Sequence, residues 1–232
     1  HYYNDQVPAA VYIAGAVNRG GLAQQTATFF SYDGTLPFFI DPDPTSAGLT
    51  GLLYGGSDAF FASFNATNGQ FNQVDGYIFG GSKNDVATSI GLDRLENVFV
   101  TGTFQDVAQF GRGGLAFLST NTGAFNTSDD NVFFASYGNQ NEQAPEVGWK
   151  TFNWVSTAGL FNGVNDFGAD LVVNQQPDFG AGTVQFVGGF RSSPFVVNPP
   201  IGRGNIPVAD PGVAGTADGT LNNTGGTNAV DG

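Results

Sequence analysis

One ten-residue word occurs twice in this chain. The run from Asn165 to Asn174 (NDFGADLVVN) aligns without a gap on the run from Asn84 to Asp93 (NDVATSIGLD). The segment after each copy also recurs. Val184 to Phe190 aligns on Val98 to Phe104, and Val11 to Val17 is a third copy of that segment, with spacings of 87 and 86 positions between the three. A further word, Asp58-Ala59-Phe60-Phe61-Ala62-Ser63-Phe64, returns as Asn131-Val132-Phe133-Phe134-Ala135-Ser136-Tyr137. Recurrence at this period requires repeated modules, each too small to bury its own apolar face and stacked on its neighbours.

The modules read as β. Val86, Thr88, Ile90 and Leu92 alternate with Ala87, Ser89, Gly91 and Asp93, which is the period of a strand. Asp93 to Asn97 is a turn. Val98 to Phe104, rich in β-branched and aromatic residues, is the returning strand. Phe60, Phe61, Phe99, Phe133 and Phe134 are expected in the core or at an interface, because stacked sheets cover both faces of a strand. Helix formers are scarce among 35 Gly and 23 Phe.

Asp-Ala-Phe-Phe-Ala, Gly-Gly-Ser-Lys-Asn-Asp and Asn-Val-Phe-Val-Thr-Gly together resemble the bacterial SBBP-type β-propeller repeat, best over residues 55–111 and more loosely over 130–190. The resemblance implies four-stranded antiparallel blades on a secreted or surface protein. The family has Gly where Glu96 stands here, so the hairpin turn differs, since Gly supplies positive φ in such a turn. The fold class expected is therefore all-β: antiparallel sheets from about two and a half blade-like repeats, not a closed propeller, with a β-sandwich as the alternative.

Several classes of chemistry are excluded by composition. The chain has no Cys and a single His, so disulfides, thiol catalysis, Ser-His-Asp triads and His/Cys zinc sites are excluded. A copper site built on His1 needs a second His. The start at His1 is read as the mark of a removed signal peptide. Twenty acidic against 7 basic residues, net −13, disfavours nucleic acid. No apolar run reaches the ~20 residues of a membrane-spanning helix.

Along the chain, turns are expected at Asp33-Gly34, Asn68-Gly69 and Asn162-Gly163. Further strands are expected over 26–32, 36–40, 71–79, 115–118 and 148–155. The Pro/Gly-rich composition from residue 199 onward marks a separate segment. The division is a β-domain over 1–198 and an extended arm over 199–232. Phe195, Val197, Ile206 and Val208 give that arm alternating apolar contacts for strand addition to an exposed edge. Val11 and Ile13, on the lone first strand, are the expected receiving side.

Candidate sites are few. Gly111 to Ala116 fits G-x-G-x-x-A, but a dinucleotide site needs a helix there and the following run is β-like. Carboxylates are numerous but sit in turn-like settings, where Asp normally bonds its own backbone. Asp41, Asp43, Asp129 and Asp130 offer loop oxygens of the kind Ca²⁺ takes, without a calcium motif. Asn65, Asn126 and Asn222 head N-glycosylation acceptor patterns.

The leading functional expectation is a non-enzymatic, secreted or cell-surface structural subunit. It assembles with copies of itself into a filament or surface layer through strand pairing. The alternatives are an extracellular glycan- or protein-binding β-domain and an Asp/Glu-dependent hydrolase. No cofactor beyond Ca²⁺ is implied.

Overall fold

A computed structural model describes residues 10–17, 27–30, 37–40, 56–70, 76–81, 83–93, 97–110, 118–120, 129–138, 151–158, 165–174, 183–191, 195–196, 201–202 and 220–221. Among them there is no helix. Sixteen strands run in order: β1 Ala10–Val17, β2 Ala27–Phe30, β3 Pro37–Ile40, β4 Asp58–Asn65, β5 Tyr77–Gly81, β6 Val86–Leu92, β7 Val98–Gln105, β8 Val107–Gln109, β9 Leu118–Thr120, β10 Asp130–Gly138, β11 Thr151–Ala158, β12 Phe167–Asn174, β13 Thr183–Gly189, β14 Phe195–Val196, β15 Ile201–Gly202 and β16 Thr220–Leu221. The fold is all-β, and the strand ladders are antiparallel.

Two five-stranded sheets, β1-β4-β5-β8-β9 and β15-β11-β10-β7-β6, lie beside three strand pairs, β12-β13, β14-β16 and β2-β3. None of them closes into a barrel or propeller. The middle module is the meander β6-β7-β10-β11, and the sequence repeat explains its neighbours. In β6 and β7, Val86 faces Thr103, Ala87 faces Gly102, and a bulge precedes Ser89 opposite Thr101. In β12 and β13, Phe167 faces Gly189, Gly168 faces Gly188, and a bulge precedes Asp170 opposite Val187. The aligned words thus share both register and bulge. The pair β1-β4 repeats β7-β10 in the same way: Tyr12 faces Ser63 as Phe99 faces Ser136, and Gly15 faces Phe60 as Gly102 faces Phe133. The first module therefore has the second, third and fourth strands of the meander. The last has the first and second.

The modules pack face to face. Phe61 and Phe79 of the first module meet Phe133 and Tyr137 of the middle one, with ring centroids 5.0–5.7 Å apart. Each such pair adds about 0.5–1.5 kcal/mol to what its area contributes. The buried Tyr137 hydroxyl donates to the Phe110 carbonyl at 3.1 Å. Phe60, Phe61, Phe99 and Phe133 are buried as expected. Phe134 is only half-buried. It stacks on Phe186 of the last module, whose two strands cover less than a full module would.

The short strands β8 and β15 are among those that were not legible in the sequence. β8 lies beyond a sharp reversal at Asp106, which has φ 61°, a conformation that Asp tolerates better than most residues. The reversal sends β8 to the outer edge of β5 in the first module. β15 does the same for β11, with Val155 facing Ile201 and Trp154 facing Gly202. The expected turn at Asn68-Gly69 is present, with Gly69 at φ 67°. The Asp33-Gly34 and Asn162-Gly163 turns, and the residues 94–96 that include Glu96, lie outside the described residues.

Candidate assembly edge

The Asn-Asp pair that opens each repeat locks one module to the next. Asp85 N–H donates to the Ser57 carbonyl, and Asp166 N–H donates to the Asp130 carbonyl, at 2.8 and 2.9 Å. Both carbonyls lie at the start of a strand of the previous module. The two Asp side chains, buried, accept from the end of their own second strand: Gln105 N–H to Asp85 Oδ1 at 3.3 Å, and Arg191 N–H to Asp166 Oδ1 at 2.7 Å. Thr88 Oγ1 donates to the Gly168 carbonyl at 2.7 Å, and Ser89 Oγ donates to Asp170 Oδ1 at 2.6 Å, tying the middle module to the last. That bond and the Leu171 N–H hold the Asp170 carboxyl below its ordinary range.

The first latch carries an extra charge. Asp85 Oδ2 also accepts from Gly81 N–H at 2.7 Å, and Asp58, fully buried, stands on the other side of Gly80. A Cβ at Gly80 would lie 2.6 Å from Asp58 Oδ1 and 2.9 Å from Asp85 Oδ2, so only glycine fits between them. Burial, and then the Asp58 charge, push the Asp85 carboxyl well above its ordinary range. At the second latch the position of Asp58 is taken by the neutral Asn131.

The end modules expose what the middle one buries. β7 is held by β6 on one edge and by β10 on the other. Among the described residues its counterpart β1 is held by β4 alone, and β13 by β12 alone. Val98 and Val100 are 0% exposed, whereas their counterparts Val11 and Ile13 are 51% and 38% exposed. Val172 and Val187 of the last hairpin are 62% and 58% exposed, beside a shallow depression of about 230 Å³. β1 reads AVYIAGAV, with no charge and no proline, so it lacks the devices that usually blunt a bare edge.

The glycines of the second strand report on its partner. A Cβ at Gly102 would collide with the Val86 carbonyl, and one at Gly188 with the Phe167 carbonyl, where the bulged partner strand comes close. Gly15 occupies the same position in β1. There, among the described residues, an added Cβ would meet only the Phe60 ring, at 3.2 and 3.5 Å.

Of the residues singled out in the sequence, Val11 and Ile13 lie on this bare strand. Phe195 lies in β14, paired with Leu221 of the same chain. Val197, Ile206 and Val208 lie outside the described residues, as do Asn126, Asn222, Asp41, Asp43 and the Gly111–Ala116 run. The described stretches of the arm, β15 and β16, thus pair within their own chain. Asn65 is half-buried at the head of an exposed turn, where its Oδ1 accepts from Thr67 N–H at 2.8 Å. Asp129 is buried, and Asp130 accepts from Gln105 Nε2 at 2.8 Å. Among the described residues no three His, Cys, Asp or Glu are grouped to hold a metal ion. No described helix is long and apolar enough to cross a membrane. In the sequence the Asn-Asp word serves only to align the repeats, and Gly15 does not stand out. The recurrence of that word ahead of each hairpin was the available signal for the latch.

Comparison of the chain with family models, curated proteins and solved structures returns no match.

Proposed function

We propose that this chain is a secreted structural subunit that assembles with copies of itself into an extracellular filament or surface layer. Strand pairing between neighbours joins the copies, and no catalysis is involved. The reading rests on one observation. β1 has the length, composition and register of a strand paired on both edges, yet one of its edges is bare among the described residues. A bare, uncharged edge is a template for another chain's strand. A contact between two different surfaces of a copy, if it does not close a ring, generates an open polymer.

The arm over 199–232 is the donor in this reading. The arm stands outside the repeat; its stretches β15 and β16 pair within their own chain, and the proposed donor is the remainder of the arm. The resemblance to SBBP-type repeats on secreted or surface proteins agrees with the location. Light scattering and negative-stain microscopy of the purified chain, without added ligand, test the reading. Polymers that lengthen with protein concentration are expected. A monodisperse monomer at every concentration overturns it.

A further inference from the structure

We infer that the bare edge of β1, centred on Gly15, is an acceptor slot for a bulged strand from a second copy of this chain. The inference rests on the self-assembly reading and gives it a location and a register.

The middle and last modules show what such a slot holds. In both, the first strand pairs antiparallel with the second and bulges at the same place, opposite Gly102 and Gly188. In both, the glycine is needed because the partner's backbone occupies the space a Cβ would take. β1 repeats that strand residue for residue in its pairing with β4, and it keeps the glycine. Within the described structure nothing requires it, since only the edge of the Phe60 ring stands nearby. A glycine inside a strand weakens it and often marks a place where another backbone approaches closely. The backbone that approaches Gly15 is the missing first strand of the first module.

The bare edge of β6 is a poorer candidate, because β6 lies between the other two modules, in contact with β1 and β4 and with β12. Among the described residues the β1 edge is the end of its sheet, with no strand beyond it. The incoming strand runs antiparallel to β1, with its bulge opposite Gly15. Val11 and Ile13, on the face turned away from the middle module, then border the junction.

Gly15→Ala tests the slot, with Gly102→Ala as its control. A Cβ at position 15 fits the separate chain once the Phe60 ring yields slightly. The expected result is an unchanged melting temperature for the monomer and loss of polymer, with the onset concentration raised at least tenfold. Gly102→Ala is expected to lower the melting temperature itself. A second experiment uses the chain truncated after Asn198, which keeps the slot and lacks the arm. Alone, it and Gly15→Ala are both expected to remain monomeric. Mixed, they are expected to form one-to-one dimers, because one supplies an arm and the other a slot. Amide exchange on assembly is expected to slow across Val11–Val17.

Native-like polymers from Gly15→Ala overturn the slot and leave the self-assembly reading standing. A monomer destabilised by Gly15→Ala as much as by Gly102→Ala overturns it too, because the slot is then filled by the chain's own backbone. If the native chain never polymerises, the self-assembly reading itself fails.

Discussion

Asp58 and Asp85 show how a repeat tolerates a costly pair of residues. Two carboxyls beside one glycine, with almost no solvent, cannot both ionise cheaply. The folded chain therefore holds a proton at Asp85 more tightly than the unfolded chain does. This contribution to stability is complete below the ordinary Asp range near pH ~4 and is lost as pH rises through the raised folded value. Asp58→Asn reproduces the pairing at the second latch, where Asn131 stands. We expect that variant to gain stability relative to the native chain between pH 4 and pH 7, measured by urea unfolding at both. An equal effect at both pH values would contradict the account. Asp170, whose carboxyl is lowered, has the opposite slope, so the comparison has to be made between variants and not on the native curve alone. Phe61 makes a different demand. It is fully buried and packs on Tyr137 across the module junction. Phe61→Ala is expected to cost about 3–5 kcal/mol in urea unfolding. Half-buried Phe134, at the same place in the repeat, is expected to cost clearly less.

At the scale of elements, the last hairpin depends most on latches. β12 and β13 form a sheet of two strands, and an isolated pair of strands is marginal in water. Its stability comes from Leu171 and Phe186 against the middle module and from the Asp166, Thr88 and Ser89 hydrogen bonds. Asp166→Ala leaves the Arg191 N–H without this acceptor, at a cost of about 1–3 kcal/mol. We expect hydrogen exchange to accelerate across β12 and β13 while β7 and β10 keep their protection. Uniform acceleration throughout the chain would mean that the hairpin is not a separate unit. The outer edges behave differently, because β8 covers β5 and β15 covers β11. Truncation after Asn198 therefore removes a cover as well as an arm. The truncated chain is expected to stay folded by circular dichroism.

For the whole molecule, charge opposes assembly. Each copy carries a net −13, so two copies repel until salt screens them. The screening length falls from about 30 Å at 10 mM salt to about 8 Å at 150 mM. Polymer onset, followed by light scattering, is expected at lower protein concentration in the higher salt. A polymer that dissolves as salt is added would point instead to contacts between opposite charges. Acidity has a second role, since it keeps a Phe-rich chain of strands dispersed before pairing.

Strand identity and module count were legible in the sequence because both are local. Alternation over Val86 to Leu92 fixes a strand and its faces, and a repeated word needs no knowledge of packing. The expectation of about two and a half repeats matches modules of three, four and two meander strands. What the tertiary structure alone decided depends on residues far apart in the chain. The Asn-Asp word was visible as a repeat, but its role as a latch appears only when Asp85 meets Ser57 and Asp166 meets Asp130. Asp106 reads as one more turn Asp until its positive φ is seen to carry the chain from one module to another. Gly15 reads as one glycine among 35. Its meaning lies in the strand that crowds Gly102 and Gly188, because a glycine's need for space is set by the backbone beside it and not by its own neighbours in sequence.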